Sequence, residues 1–188
     1  MNELFQRYIR NNIQISTDSL SKILSNFKPY IAKKNSLLLS GGETCNKLYF
    51  VNKGCIRTYY ITEKGQEKTR YITFEGSIIT SLSSFISQKP SFEFVETLED
   101  SDLLYISRTK FFQLVHDLRE WEKFYSRLLE FAYIYQNKKI EELVTLSAPE
   151  RYAVLMQENP EFIQRLPNKI LASYLDITQE TLSRLKSK

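Results

Sequence analysis

A chain of 188 residues, 42% hydrophobic and 26% charged, is long enough for one large domain or two small ones and can bury a real core. Its 26 basic and 22 acidic side chains leave a net charge of +4, a mild basicity that permits nucleic acid as a partner without requiring it. One His and two Cys exclude a His/Cys zinc or iron–sulfur site within the chain, and none of the five Gly forms a Gly-x-Gly-x-x-Gly or a phosphate loop.

Residues 1–27 read as short helices. Leu4, Phe5, Tyr8 and Ile9 share one face, and Ser16-Thr17-Asp18 offers N-caps ahead of Leu20, Ile23, Leu24 and Phe27. The opening Met-Asn-Glu-Leu-Phe-Gln-Arg is too polar for the apolar core of a signal peptide, and no apolar run reaches membrane-span length. A cytoplasmic location without a membrane partner is therefore expected.

Residues 28–107 read as β structure. Leu48-Tyr49-Phe50-Val51, Ile56 to Ile61 and Thr69 to Phe74 are short runs rich in aromatic and β-branched residues. Asn52-Lys53-Gly54, Glu63-Lys64-Gly65 and Glu75-Gly76 punctuate them at the spacing of a compact sandwich or barrel, with Gly65 supplying positive φ at a hairpin. Cys45 and Cys55, ten positions apart here, read as buried thiols rather than a disulfide.

From 108 to about 147 the period changes to 3.6. His116, in Leu-Val-His-Asp-Leu, reads as a helix-surface histidine with no nucleophile signature beside it. Trp121, Phe124, Leu128, Phe131 and Tyr135 follow the 3-4-3-4 spacing of a coiled-coil seam, and Tyr125, Leu129, Ala132, Gln136, Ile140 and Leu143 form a neighbouring stripe. Two apolar faces need two covers: the expected ones are the chain's own β domain and a second copy, the alternative being a helix wholly buried inside one chain. The Trp121-to-Tyr135 stripe is taken as the dimer seam. Ala148-Pro149 ends the helix.

Past Asn159-Pro160 the pattern is that of a helix-turn-helix. Leu171 and Leu175 lie one turn apart on a first helix, with the small Ala172 allowing a close crossing. Asp176 holds the turn position usually given to Gly, Thr178 is a natural N-cap, and Leu182 and Leu185 line one face of a second helix. The local charge is also concentrated here: Arg165, Lys169, Arg184, Lys186 and Lys188 against Asp176 and Glu180, a balance of 5 − 2 = +3.

With this ending, the β region and the long helix, nearly the whole chain resembles the Crp/Fnr superfamily of bacterial transcription regulators. The resemblance implies an α+β fold. Residues 1–118 would form a double-stranded β-helix (jelly-roll, cyclic-nucleotide-binding-like) sensor domain with flanking helices, 119–147 a dimerisation helix, and 148–188 an all-α helix-turn-helix domain. Phe50 to Gly54 looks like the family's strand-and-turn, and Thr178 to Arg184 like its recognition helix. On that match Gln179, Glu180 and Arg184 would face base edges, and Thr178, Ser183 and Lys186 would approach phosphate. Double-stranded DNA, a second copy of the chain, RNA polymerase and a small-molecule effector are the partners implied.

Two departures from the family pattern stand out. No winged hairpin follows the second helix, so wing-like contacts would have to come from before Leu166. In the segment matching the cyclic-nucleotide phosphate cassette, Gly76 remains, Ser77 replaces the Glu that would hold a ribose hydroxyl, and Pro90-Ser91-Phe92 replaces the phosphate-pairing Arg. Gly76, Ser77, Ser91 and Phe92 thus mark the candidate effector pocket, with no cofactor expected and cyclic AMP expected to bind weakly. The function implied is a homodimeric DNA-binding transcription regulator with an effector-binding or vestigial β domain, not an enzyme. The alternative is a regulatory module that binds a small molecule or protein through its β domain and uses the helix-turn-helix only as packing. A cupin-like enzyme is distant, since its metal would want several His.

Overall fold

The computed structural model describes residues 3–187; Met1 and Asn2 of the opening stretch, and the C-terminal charge Lys188, lie outside them. Two amphipathic helices come first, α1 (Glu3–Asn12) and α2 (Thr17–Ser25), the second capped by Ser16, whose hydroxyl accepts from the Ser19 amide. Eight strands follow: β1 (Lys28–Ala32), β2 (Leu37–Leu39), β3 (Lys47–Lys53), β4 (Ile56–Ile61), β5 (Glu67–Thr73), β6 (Ile78–Ile79), β7 (Phe94–Thr97) and β8 (Ser101–Ser107). A short helix, α3 (Leu82–Ser87), interrupts them before β7.

The strands make two four-stranded antiparallel sheets, in the orders β1-β8-β3-β6 and β2-β7-β4-β5. Consecutive strands mostly fall in opposite sheets, which is the jelly-roll arrangement; the sheets pack face to face and do not close into a barrel. Leu48, Phe50, Leu103 and Ile106 of the first sheet meet Ile56 and Val95 of the second in the apolar layer between them. Phe5 of α1 seals one end, its ring 4.7 Å from that of Phe50. Gly54 is required at the β3–β4 turn: its φ is +108° and an added Cβ would sit 2.3 Å from the Ser101 hydroxyl.

The helical stretch beyond the strands is two helices, α4 (Arg108–Asp117) and α5 (Arg119–Thr145), joined at Leu118. His116 sits exposed in the last turn of α4. Cys45 and Cys55 are both free and buried, and they lie in different apolar clusters.

The orientation of α5 corrects the reading of its seam. Trp121 and Phe124 are buried within their own chain, stacked at 4.3 Å on each other, with Trp121 also 5.4 Å from the Phe111 ring. Leu128 packs partly on the same core, and Tyr135 meets Tyr71 of β5 edge-on at 4.9 Å. Of the five residues taken as the dimer seam, Phe131 alone is more than half exposed, at 53%. Indole and phenyl rings carry the largest apolar area of the helix, and the chain's own core claims it first. Exposed apolar side chains lie on the other face: Tyr133, Ile134, Ile140, Leu143 and Val144.

Trp121→Ala should therefore cost about 3–5 kcal/mol of unfolding free energy, as for other large buried aromatics. Urea titrations at several protein concentrations check this. A loss that appeared only as a concentration-dependent dissociation would place Trp121 at a subunit contact instead.

Candidate nucleic-acid interface and effector cavities

Four helices complete the chain: α6 (Ala148–Glu158), α7 (Pro160–Arg165), α8 (Asn168–Leu175) and α9 (Gln179–Lys186). Ser147 and Glu150 form a reciprocal capping box at the start of α6, with Pro149 in the first turn, where its missing N–H costs nothing. α8 ends at Asp176 with φ +54° and ψ +47°, a left-handed turn that Asp tolerates. Its peptide N–H reaches back to the Ala172 and Ser173 carbonyls, and Ile177 N–H donates to Ala172 at 3.0 Å. The Thr178 hydroxyl then accepts from the Thr181 amide at 3.2 Å and opens α9. Leu171, Ala172, Leu175 and Leu182 are buried where the two helices cross. This is a helix-turn-helix in geometry as well as in spacing.

All six residues expected to meet DNA are exposed: Thr178, Gln179, Glu180, Ser183, Arg184 and Lys186. Glu180 and Arg184 lie one turn apart on the side of α9 away from buried Leu182, and Gln179 and Ser183 lie one turn apart on its flank. Arg184 makes no ion pair among the described residues; one terminal nitrogen donates to the Thr181 hydroxyl at 3.3 Å. Lys186 donates to Asn168 Oδ1 at 2.6 Å. A hydrogen bond from the Thr178 side chain holds the Glu180 carboxyl below the usual range, so this residue is an anion that can accept from a base amine but repels phosphate.

The basic excess is less available than the sequence implies. Arg165 forks onto two carboxylates of the β domain, Glu75 at 2.7 and 3.0 Å and Glu99 at 2.6 and 3.2 Å, and lies over the Phe74 ring. Lys169 bonds Glu67 at 3.1 Å, and Lys68 pairs with Asp176 at the turn itself. Within the described part of the C-terminal run, Arg184 and Lys186 are the cations not held by a carboxylate. The Arg165 guanidinium, helped by the Gly54 amide, draws the Glu75 pKa down to about 2.

Beneath these pairs the two regions share one apolar cluster. Cys55, Ile72 and Leu98 of the β domain pack with Phe162, Leu166, Ile170, Leu171 and Leu175. Burial in this cluster, reinforced by Glu99, pushes the Cys55 thiol up to about 12, which makes it an inert packing group. Ser173 of α8 accepts from the Thr69 amide at 2.8 Å and donates to the Glu67 carbonyl at 2.9 Å.

The residues expected to mark an effector pocket do not share one cavity. Gly76 occupies a turn at φ +80° beside Leu4, and Ser77 lines a cavity between α1 and α5. Ser91 and Phe92 line a second cavity, of about 460 Å3, so the four residues do not converge. Ser81, at the cap position of α3, lines the second cavity and was not among the expected residues. Its hydroxyl donates to Glu93 Oε2 at 2.6 Å and lies 2.9 Å from the Ser91 hydroxyl. Tyr60 donates to the same carboxylate, and Arg70 of β5 pairs with it. The floor of the cassette is thus a buried carboxylate already matched by one guanidinium. An entering phosphate would meet that carboxylate and compete for its arginine. The signal for Ser81 was a serine just ahead of the apolar Leu82, Phe85 and Ile86 pattern, an N-cap position rather than a Gly-adjacent one.

Residues 31–117 match the family model of the cyclic nucleotide-binding domain. Among solved structures, a protein from Eubacterium rectale described as a transcriptional regulator of the Crp/Fnr family superposes with a TM-score of 0.75 at 20% identity, over 95% of this chain and 85% of that one. FixK2 from Bradyrhizobium japonicum gives 0.74 at 17% identity, over 86% and 83% of the two chains. The c-di-GMP responsive regulator CLP from Xanthomonas campestris gives 0.71 at 16%, over 92% and 90%. No curated protein sequence matches. The chain has the fold of the Crp/Fnr regulators, built on a cyclic nucleotide-binding domain, as the sequence resemblance implied. Among the described residues no helix is long and apolar enough to cross a membrane.

The Glu75 pairing carries a pH signature. A carboxylate with an ordinary value of 4.5 unfolded and about 2 folded adds stability that is complete above 4.5 and lost as pH falls towards 2. Urea midpoints for wild type should fall through that window. Glu75→Gln should start lower at pH 7 and show a flatter acid limb; identical acid limbs would mean that Arg165 does not hold Glu75 in solution.

Proposed function

We propose that the protein is a homodimeric, sequence-specific DNA-binding transcription regulator whose cyclic nucleotide-binding-like domain senses a ligand other than cyclic AMP. The observation that carries this reading is α9 itself. One side is locked into the fold by Leu182, and the other presents Glu180 and Arg184 to solvent with Gln179 exposed beside them, tied only by hydrogen bonds within the helix and its cap. Arg can meet guanine O6 and N7 bidentately, Glu can accept from cytosine N4, and Gln can pair with adenine N6 and N7. RNA polymerase is the further partner that this role implies.

Dimerisation runs through the outer face of α5. Leu129, Tyr133, Gln136, Ile140 and Leu143 repeat at 4-3-4-3, with Tyr133 71% and Ile140 59% exposed in the single chain. Two copies joined there would set two recognition helices on one side of a duplex, and a roughly palindromic operator with half-sites about 34–36 Å apart follows. Tyr133→Glu combined with Ile140→Glu should give a folded monomer by sedimentation, because neither residue belongs to the chain's own core. An unchanged dimer would put the interface elsewhere.

Arg184→Ala should cost about 1–3 kcal/mol per half-site on the preferred operator and flatten preference at one base pair. Lys186→Ala should weaken all DNA alike and lower the salt slope by about one. Binding isotherms for both variants on the operator and its single-base changes, across a salt series, check this. Full retention of preference in Arg184→Ala would move the protein to the second reading, a regulatory module that does not bind DNA. That reading draws on the engagement of Arg165 and Lys169 by β-domain carboxylates.

A further inference from the structure

We propose that the cavity between α1, β5 and α5 is a binding site for a small carboxylate with an apolar body, separate from the cyclic-nucleotide cassette. The cavity measures about 230 Å3. Protein interiors are close-packed, and an apolar void of roughly 150 Å3 already accommodates benzene, so this one takes a ring with a short side chain. Tyr8 of α1, Tyr71 of β5 and Phe124 and Phe131 of α5 supply aromatic walls.

The charges decide the class of ligand. Arg70 and Arg127 line the cavity, and no Asp or Glu does. Arg127 is exposed and has no hydrogen-bond or ion-pair partner among the described residues. Arg70 spends one terminal nitrogen on Glu93, which leaves the remaining donors of its fork for a second anion. Burial holds the Tyr8 and Tyr71 phenols well above their ordinary range, so the walls stay neutral and add no negative charge. A cavity with aromatic sides, two guanidinium groups and no acid favours an amphipathic anion over a neutral or cationic molecule of the same shape.

The cassette cavity has the opposite character, since Glu93 is part of its lining. Arg70 belongs to both linings and stands between the two spaces. A carboxylate on the α1 side and Glu93 on the other would therefore share one arginine, and occupancy of the new site would be felt in the cassette without a shared ligand. This inference does not depend on DNA binding.

Calorimetry on the full chain with 3-phenylpropanoate and octanoate tests it, with 3-phenylpropanol and 3-phenylpropylamine as neutral and cationic comparators. Saturable binding of one carboxylate per chain is expected, with both comparators at least about tenfold weaker. Arg127→Gln, a surface change, should weaken the carboxylates about fivefold or more and leave the alcohol unaltered. Leu128→Trp, which fills the space, should abolish binding. The proposal is overturned by no saturable carboxylate binding, by equal affinity for the three head groups, or by an Arg127→Gln variant that binds as wild type does.

Discussion

A single hydroxyl caps two backbone groups on one open edge of the second sheet. β5 is the last strand in the order β2-β7-β4-β5, and its outer backbone would otherwise present unpaired N–H and C=O groups. Ser173 takes the place of a neighbouring strand: its Oγ accepts from Thr69 N–H and donates to Glu67 C=O. The residue doing this belongs to the first helix of the helix-turn-helix, so edge protection and placement of that motif are one event. Lys169, Lys68 and Arg165 reinforce it around the rim, and the cluster of Ile72, Leu98, Leu171 and Leu175 makes it dry.

The same strand is tied inward. Arg57 of β4, 4% exposed, bonds Glu67 at 2.6 Å and Glu96 at 2.7 and 2.9 Å. A buried ion cluster is weak evidence for net stability, but removing one partner would strand the others without water. Glu67 therefore faces two ways, to Arg57 beneath and Lys169 above, and Arg70 next along the strand reaches Glu93 under the cassette. Both pairings sit within one seven-residue strand, so a ligand that moved Arg70 would act on the element that carries α8. The bonds named here join the cavity lining to the helix-turn-helix through β5.

Much of this was legible in the sequence, for local reasons. Aromatic and β-branched runs split by Gly54, Gly65 and Gly76 mark strands because each glycine adopts positive φ at a turn. The helix-turn-helix was legible to the residue: Asp176 in the left-handed region and Thr178 as a cap are decisions made within four positions. The orientation of α5 was not legible, because both of its stripes are apolar and a 3.6 period says nothing about which meets the β domain. Ser77 was read as the cassette serine because it follows Gly76, whereas the serine bonded to the buried Glu93 is Ser81, a contact that spans twelve residues. The loss of Arg165 and Lys169 as free cations was equally hidden, since their carboxylates lie 66 to 102 positions away in sequence.

The placement of the helix-turn-helix depends on α8 being seated on β5 in solution. Thr69 and Ser173 have side-chain oxygens 3.1 Å apart, within the reach of a disulfide, and the two native thiols are buried. A Thr69→Cys, Ser173→Cys variant, oxidised mildly and mapped by peptide mass spectrometry, measures the contact directly. Near-complete cross-linking of these two positions within one chain is expected, with the far-UV spectrum unchanged. Two engineered thiols that stay reduced and alkylate freely would contradict it.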